Sequence, residues 1–272
     1  IKAPKTPSKK ERDKAWLAVQ QFSKMIPSLN SFARSMTGDQ KVHVKSGKVS
    51  MTDGRSIMIR PPLELADKHR HDRSMCDRRD SNRTSLCEAC RVGDKLWSVV
   101  YHEISHIAKK TFEPVGLEGY ETIRKFVTAN HPIGVCKHAK DYLFGIDDSG
   151  IYLAELYKID QLLKLVFEFI EDARVDSAML STRPGLADVF YASNYDTFEN
   201  GVEKDSGERV LWNTAPLRAQ MLVALLVSAS GYEIEPHWLD ERAIAVAHDP
   251  RIQEILFGLT GGTVHDSARK AV

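Results

Sequence analysis

The sequence contains no apolar run of the roughly 18 to 20 residues that a membrane-spanning helix needs. Its longest candidate, AQMLVALLVSAS at 219–230, falls well short and reads as a buried helix. The basic opening IKAPKTPSKKERDKAW lacks the apolar stretch of a secretory signal, so the expected location is cytoplasmic, with no membrane partner. Cysteine is scarce, at 4 residues, and without a secretion signal a disulfide is the less favoured use of them. Surplus charge is also lacking: 38 basic residues face 37 acidic ones, so the whole molecule offers no electrostatic case for nucleic acid. There is no internal repeat and no low-complexity tract.

What remains is an ordinary globular composition, 42% apolar, in a chain long enough to bury a sizeable core as one large domain or two small ones. The chain starts at Ile1 and stops inside TVHDSARKAV, a pattern that continues as helix, so a fragment or a trimmed chain is the expectation. Residues 9–26 carry a helical stripe of Trp16, Leu17, Val19, Phe22 and Ile26 that is predicted to end before Pro27. Alternating Val42, Val44, Val49, Met51, Ile57 and Ile59, with SG and DG between them, predict short antiparallel strands within 41–62. Helices follow at 94–111, 118–129, 135–144, within 152–181, and at 214–230, 237–247 and 250–259, the last started by Asp249-Pro250. The polar stretch 191–209 reads as a loop or flap.

The stretch WSVVYHEISHIAKKTF at 97–112 places His102 and His106 four apart, with Glu103 beside the first, inside a run of helical spacing. On a helix, residues four apart stand one turn apart on one face, so the two imidazoles can hold one zinc ion between them. Glu103 lies about 100° round from His102, where its carboxylate reaches a water on the metal without being a ligand. Bound zinc lowers the pKa of that water to about 7, and Glu103 is the expected general base as the water attacks a peptide carbonyl. A surface helix that happens to spell these residues is the plain alternative. Leu96, Val99, Val100, Ile104, Ile107 and Ala108 around the motif favour a buried helix.

A catalytic zinc with two histidines needs a third protein ligand and an open fourth position. LLKLVFEFIEDARVDSAML at 162–180 is the helical acidic cluster embedded in apolar sequence, with Glu168, Glu171, Asp172 and Asp176. Carboxylates among Leu163, Val166, Phe169 and Ile170 are costly to bury unpaired, and a metal ion or an arginine offsets that cost. An amphipathic helix with ion pairs through Arg174 is the alternative.

Taken in order, MTDGRSIMIRPP, HEISH and FEFIEDARVD resemble zincin metallopeptidases of the Glu-ligand type. More closely, they are similar to the metallopeptidase-like domains of bacterial and phage proteins that often accompany a von Willebrand A-type domain. The resemblance spans about residues 50–180, and the His-Glu-x-x-His element is its specific part. It implies that Asp53-Gly54 form a turn leading an edge strand at 57–60, where Ile57 and Ile59 bind an extended substrate strand. It further implies zinc on His102 and His106, Glu103 as base and Glu171 as third ligand. The family's ligand glutamate and supporting aspartate stand four apart, a spacing that fits Glu168 with Asp172, or Asp172 with Asp176. Glu168 and Asp172 therefore stay open as ligands.

In HRHDRSMCDRRDSNRTSLCEACRVGDKLW, Cys76, Cys87 and Cys90 form C-x10-C-x2-C, with His69 and His71 just upstream and Cys136 far downstream. Such a set is the raw material of a structural zinc site, completed by Cys136 or a histidine; unliganded thiols are the competing use. Set just before the catalytic helix, it would clamp a polar loop against the helix start.

The expected architecture is α+β: a mostly helical zincin-like domain with a small N-terminal antiparallel sheet beside the metal-binding helix. Residues 1–40 form an N-terminal helical segment. Residues 41–180 form the metallopeptidase core, with the cysteine-rich insertion at about 67–92, and 181–272 a helical region packed on it. The expected function is a zinc-dependent metallopeptidase acting on protein or peptide substrates. The alternative is a catalytically inactive, metal-stabilised module contacting protein or nucleic acid through the Arg- and Cys-rich loop. Glu103 separates the two, since binding needs no carboxylate beside the metal. Tyr191, Tyr195, His131 and Arg174 are candidates to stabilise the oxyanion.

Overall fold

The computed structural model describes residues 8–67, 71, 87–112, 125, 161–203, 209–229, 233–256, 261–263 and 266–267. Ser8 caps the first helix, α1 (Lys9–Thr37). Its hydroxyl accepts from the Glu11 amide at 3.3 Å, and a Glu11 carboxylate oxygen accepts from the Ser8 amide at 2.5 Å. These bonds to Ser8 hold the Glu11 carboxyl below its ordinary range. The predicted end before Pro27 is wrong: the helix carries Pro27 inside it and runs on to Thr37. Ala18, Phe22, Leu29 and Ala33 form one buried stripe that crosses the proline. Burying side chains such as Phe22 and Leu29 contributes about 1.5–3 kcal/mol each, enough to outweigh the ~3 kcal/mol cost of an interior proline. Gly38, at φ 71°, ends the helix and donates its N–H to Arg34 O at 2.9 Å. Trp16 and Leu17, apolar members of the predicted stripe, are exposed.

Three short strands follow: β1 (His43–Ser46), β2 (Met51–Thr52) and β3 (Ser56–Ile59). Their order is β1-β3-β2, with β1 and β3 parallel and β2 and β3 antiparallel, so the sheet is mixed where simple antiparallel pairing was expected. The chain leaves β1, passes to the far side of β3's position as β2, and returns through a tight turn into the middle. Asp53 and Gly54 make that turn. Asp53 Oδ1 accepts from the Arg55 and Ser56 amides at 2.9 and 2.6 Å, and Gly54 takes φ 89°. Partial burial pushes the Asp53 carboxyl up, but those amides and nearby Lys45 hold it below its ordinary value.

This topology overturns the expected edge strand at 57–60. β3 is the central strand, paired on both sides, and the Ile57 and Ile59 side chains are fully buried. Neither its backbone nor those side chains can receive a substrate strand.

A 3-10 turn, Leu63–Ala66, packs against α1. Helix α2 (Glu88–Ala108) begins at Glu88, ahead of the predicted start at 94. Phe32 of α1 meets Trp97 and Tyr101 of α2 edge-on, with centroids 5.3 and 5.1 Å apart. Helix α3 (Gln161–Thr182) carries the acidic cluster. The predicted flap at 191–209 is instead the latter part of helix α4 (Ala187–Asn200) and a two-stranded ribbon, β4 (Val202–Glu203) with β5 (Arg209–Val210). Polar composition hid α4, yet Phe190 and Phe198 supply its buried contacts.

Helices α5 (Leu217–Ala229), α6 (Glu241–Ala247) and α7 (Pro250–Leu256) close the chain. α5 packs on α3 and α6, and buries Leu222, Val223, Ala224 and Val227 as its apolar sequence implies. Asp249 accepts from the Arg251 amide at 2.9 Å at the expected start of α7. Apart from residue 125, the predicted helices at 118–129 and 135–144 lie outside the described residues. Small sheets among many helices make the α+β, mostly helical class expected from sequence. No described helix is long and apolar enough to cross a membrane. The chain divides into two compact units, Ile1–Ile104 with Arg183–Ala215, and Ser105–Thr182 with Pro216–Val272.

Because the stripe beyond Pro27 is what holds α1 together, Leu29→Ala is expected to cost about 2–5 kcal/mol in chemical denaturation. Pro27→Ala should raise stability. A neutral Leu29→Ala would mean that the helix is not held past Pro27.

Candidate metal centres

Helix α2 turns 100° per residue, which sorts its side chains into faces. Lys95, Val99, His102 and His106 fall in a stripe about 60° wide, while Trp97 and Tyr101 lie across the helix from it. Leu96, Val100 and Ile104 form a third, fully buried face. Glu103 is buried as well, at 6% exposure, about 100° from His102 and about 60° from His106. The helix ends in a turn at Lys110, φ 63°, which brings Thr111 back so that its amide donates to His106 O at 2.9 Å.

His102 and His106 stand on one unbroken helix, so helical geometry alone sets their mutual placement. Together with Asp172 they bring one ligand atom each within 4.8 Å of the others. His106 Nε2 lies 3.2 Å from Asp172 Oδ1. Its other nitrogen, Nδ1, lies 3.1 Å from Thr111 Oγ1. The Thr111 hydroxyl donates to Glu171 Oε1 at 2.5 Å, and a hydroxyl has one proton, so towards His106 it can only accept. Hydrogen-bond counting therefore puts a proton on Nδ1 and leaves Nε2, in the neutral ring, as a lone pair facing Asp172. A lone pair 3.2 Å from a carboxylate oxygen is tolerable only with a cation between them or a second proton on the ring. The donors thus fit a bound metal ion. Two imidazoles and one carboxylate suit zinc and other divalent transition metals.

Glu171, the third ligand implied by resemblance, is not in this group. Its carboxylate is 2% exposed and paired with Arg174, which donates from Nε to Oε2 at 2.8 Å and from Nη2 to Oε1 at 2.6 Å. Arg174 also donates to Gly262 O and Lys109 O, both at 3.1 Å. A buried guanidinium must be neutralised, and Glu171 does that, which leaves Asp172, one residue and about 100° further round, on the histidine side. With its donors so engaged, Arg174 is not placed as an oxyanion stabiliser. Glu168 is exposed and does not join the group, nor does Asp176. Tyr191 and Tyr195 fall on α4, and His131 lies outside the described residues. Thr111 is the functional residue that sequence reasoning misses: a lone threonine 60 positions from its carboxylate partner leaves no local signal.

The second centre lies at the start of α2. Cys87 and Cys90 bracket its first turn, both buried and both free thiols. His71 Nδ1 is 3.4 Å from Cys87 Sγ and 3.3 Å from Cys90 Sγ, and the three ligand atoms lie within 4.8 Å of one another. Two sulfurs and an imidazole converging in this way fit three of the four corners of a structural metal site. The other sequence candidates, Cys76, Cys136 and His69, lie outside the described residues.

Compared with protein-family models, curated proteins and solved structures, the chain matches none of them.

The division of labour between neighbouring acids gives a measurable contrast. Asp172→Asn should weaken metal binding at the histidine pair by tenfold or more, on the order expected for a lost ligand, with little change in the melting of metal-free protein. Glu171→Gln should instead lower metal-free stability by about 3–5 kcal/mol, because it leaves Arg174 buried without its counter-charge. The reverse pattern in metal titration and thermal melting would return the ligand role to Glu171. At the other centre, Cys87→Ser is expected to release a second metal equivalent and lower the melting temperature, read by metal analysis and calorimetry.

Proposed function

We propose that the chain is a zinc-dependent metallopeptidase of the zincin type, hydrolysing peptide bonds with Glu103 as general base. The observation that carries this reading is the convergence of His102, His106 and Asp172 within 4.8 Å, with a buried glutamate next to the first histidine. Zinc bound there supplies a Lewis acid that polarises the scissile carbonyl and acidifies water.

The chain's own groups do the rest. Thr111 and Glu171 hold the His106 ring with Nε2 towards the metal position. Glu103 stands beside the histidine stripe but outside it, so it takes a proton without competing as a ligand. It accepts one proton from the attacking water as the water oxygen adds to the carbonyl carbon. It then returns that proton to the departing amine nitrogen as the C–N bond breaks. The His71, Cys87 and Cys90 group supports a second, structural zinc at the start of the same helix, steadying the element that carries the histidines.

The competing function is a metal-stabilised binding module with no hydrolysis. Glu103→Gln separates the two: it keeps shape and metal but cannot accept the proton, so cleavage of a peptide library should fall by a factor on the order of 10² to 10⁴ at unchanged zinc content. Full retention of cleavage would remove Glu103 as base, and a wild type that binds zinc but cleaves nothing would favour the binding module.

A further inference from the structure

The two groups of metal-capable side chains on α2 differ in their donors. Towards the helix end, His102, His106 and Asp172 offer nitrogen and oxygen. At its start, His71, Cys87 and Cys90 offer one nitrogen and two sulfurs. Of these donors, thiolate sulfur is the one that peroxides oxidise readily, so an oxidant distinguishes the two centres.

The cysteines are also placed to join each other. The Arg91 amide donates to Cys87 O at 3.0 Å, which makes Cys87 the N-cap of α2 and puts Cys90 at the third position of its first turn. Three residues along a helix amount to a net rotation of about 60° and a rise of about 4.5 Å, so the two Cα atoms stand about 5 Å apart. A disulfide needs about 4.4–6.8 Å between them, so closing one asks for side-chain rotation and no backbone movement. The sulfurs already lie within 4.8 Å of one another, and neither is in a disulfide. Both cysteines are buried while His71 is exposed, so the surface is reached on the imidazole side, by a molecule as small as hydrogen peroxide.

We propose that Cys87 and Cys90 form a peroxide-responsive switch, closing to a disulfide that ejects the metal at the start of α2 and leaves the histidine-bound metal in place. Two metal-bound thiolates give up one electron each as the S–S bond forms. Hydrogen peroxide takes both electrons and two protons from solvent, its O–O bond breaks, and it departs as two molecules of water. The metal keeps its charge throughout. Disulfide sulfur carries no negative charge, so the ion loses two of its three described ligands, and His71 alone cannot retain it. Losing the metal removes binding free energy that counts towards folding, and a disulfide across so short a loop returns little of it. This inference rests on the structural zinc proposed above and is independent of hydrolysis.

The experiment uses the full chain loaded with zinc, beside a His102→Ala chain in which the sulfur group is the remaining centre. Zinc content before treatment tests the structural metal itself: the wild type should hold two equivalents and His102→Ala one. No zinc at the sulfur group would remove the reading on which the switch rests. Hydrogen peroxide is then added with a chromogenic zinc chelator present, against an untreated control. The wild type should release one of its two equivalents, and His102→Ala its only one. Tryptic mapping should find both cysteines in the single peptide 84–91, lighter by two hydrogens and closed to alkylation. A phosphine reductant followed by fresh zinc should restore both the metal content and the melting temperature, which fall together on oxidation. Zinc retained under peroxide with both cysteines still alkylated, a disulfide from either cysteine to Cys76 or Cys136, or sulfinic acids that the phosphine cannot reverse would each overturn the switch while leaving the structural metal standing.

Discussion

A buried guanidinium, Arg174, sets the terms for the candidate metal centre. At 3% side-chain exposure it cannot remain without a counter-charge, and two donors meet Glu171 while two others reach Gly262 O and Lys109 O. Burying such a pair costs desolvation of both ions, which is offset only when their hydrogen-bonding capacity is used up. Glu171 completes its share by accepting from Thr111, and Thr111 in turn holds Nδ1 of His106. The orientation of a metal-facing imidazole thus depends on a charge pair that never touches the metal. The pair also joins α3 to the turn that ends α2, so the acidic helix and the second histidine are held by one network.

Helix α2 divides several tasks among its faces because 3.6 residues per turn give them fixed angular shares. One stripe carries Lys95, Val99, His102 and His106; the opposite side meets Phe32 through Trp97 and Tyr101. Leu96, Val100 and Ile104 anchor the third side in the core. Glu103 sits at the border of stripe and core, where a side chain is shielded yet close to both histidines. Cys87 and Cys90 at the first turn, with His71, form a second group that could hold a metal at the end of the same rod. A helix with aromatics along one side, a buried stripe along another and a group at its start that could hold a metal is well placed to keep a ligand pair spaced by a single turn in register.

The sequence makes local geometry legible and leaves distant partnership hidden. His102, Glu103 and His106 are readable because their relation is fixed within one helical turn, and Cys87 with Cys90 likewise. The choice between Glu171 and Asp172 is not readable, since one residue is a 100° rotation and either acid suits a ligand role until Arg174 is placed in space. Thr111 has no motif at all. α1 outruns its proline because burial of Phe22 and Leu29 decides the matter, and propensity alone does not report burial. The mixed sheet escapes notice for a similar reason: alternation tells which residues face inward, but not that β3 returns between β1 and β2.

The contact between His106 and Asp172 bears on whether this is a metal site or an ordinary ion pair. With the Thr111 proton spent on Glu171, Nδ1 must be the donor towards Thr111, and a neutral ring then turns a lone pair on Asp172. A doubly protonated ring would also make the contact attractive. A second positive ring beside the first would also be unfavourable there. A metal ion satisfies Nε2 of His106 and the Asp172 oxygen at once, and gives His102 a reason to bring its own ligand atom within 4.8 Å of both. It also makes adjacent carboxylates compatible: Glu171 and Asp172 repel each other least when each has its own cation, Arg174 on one side and the metal on the other. The order Glu171-Asp172 in the sequence is thus what two cations about 100° apart around α3 would ask for.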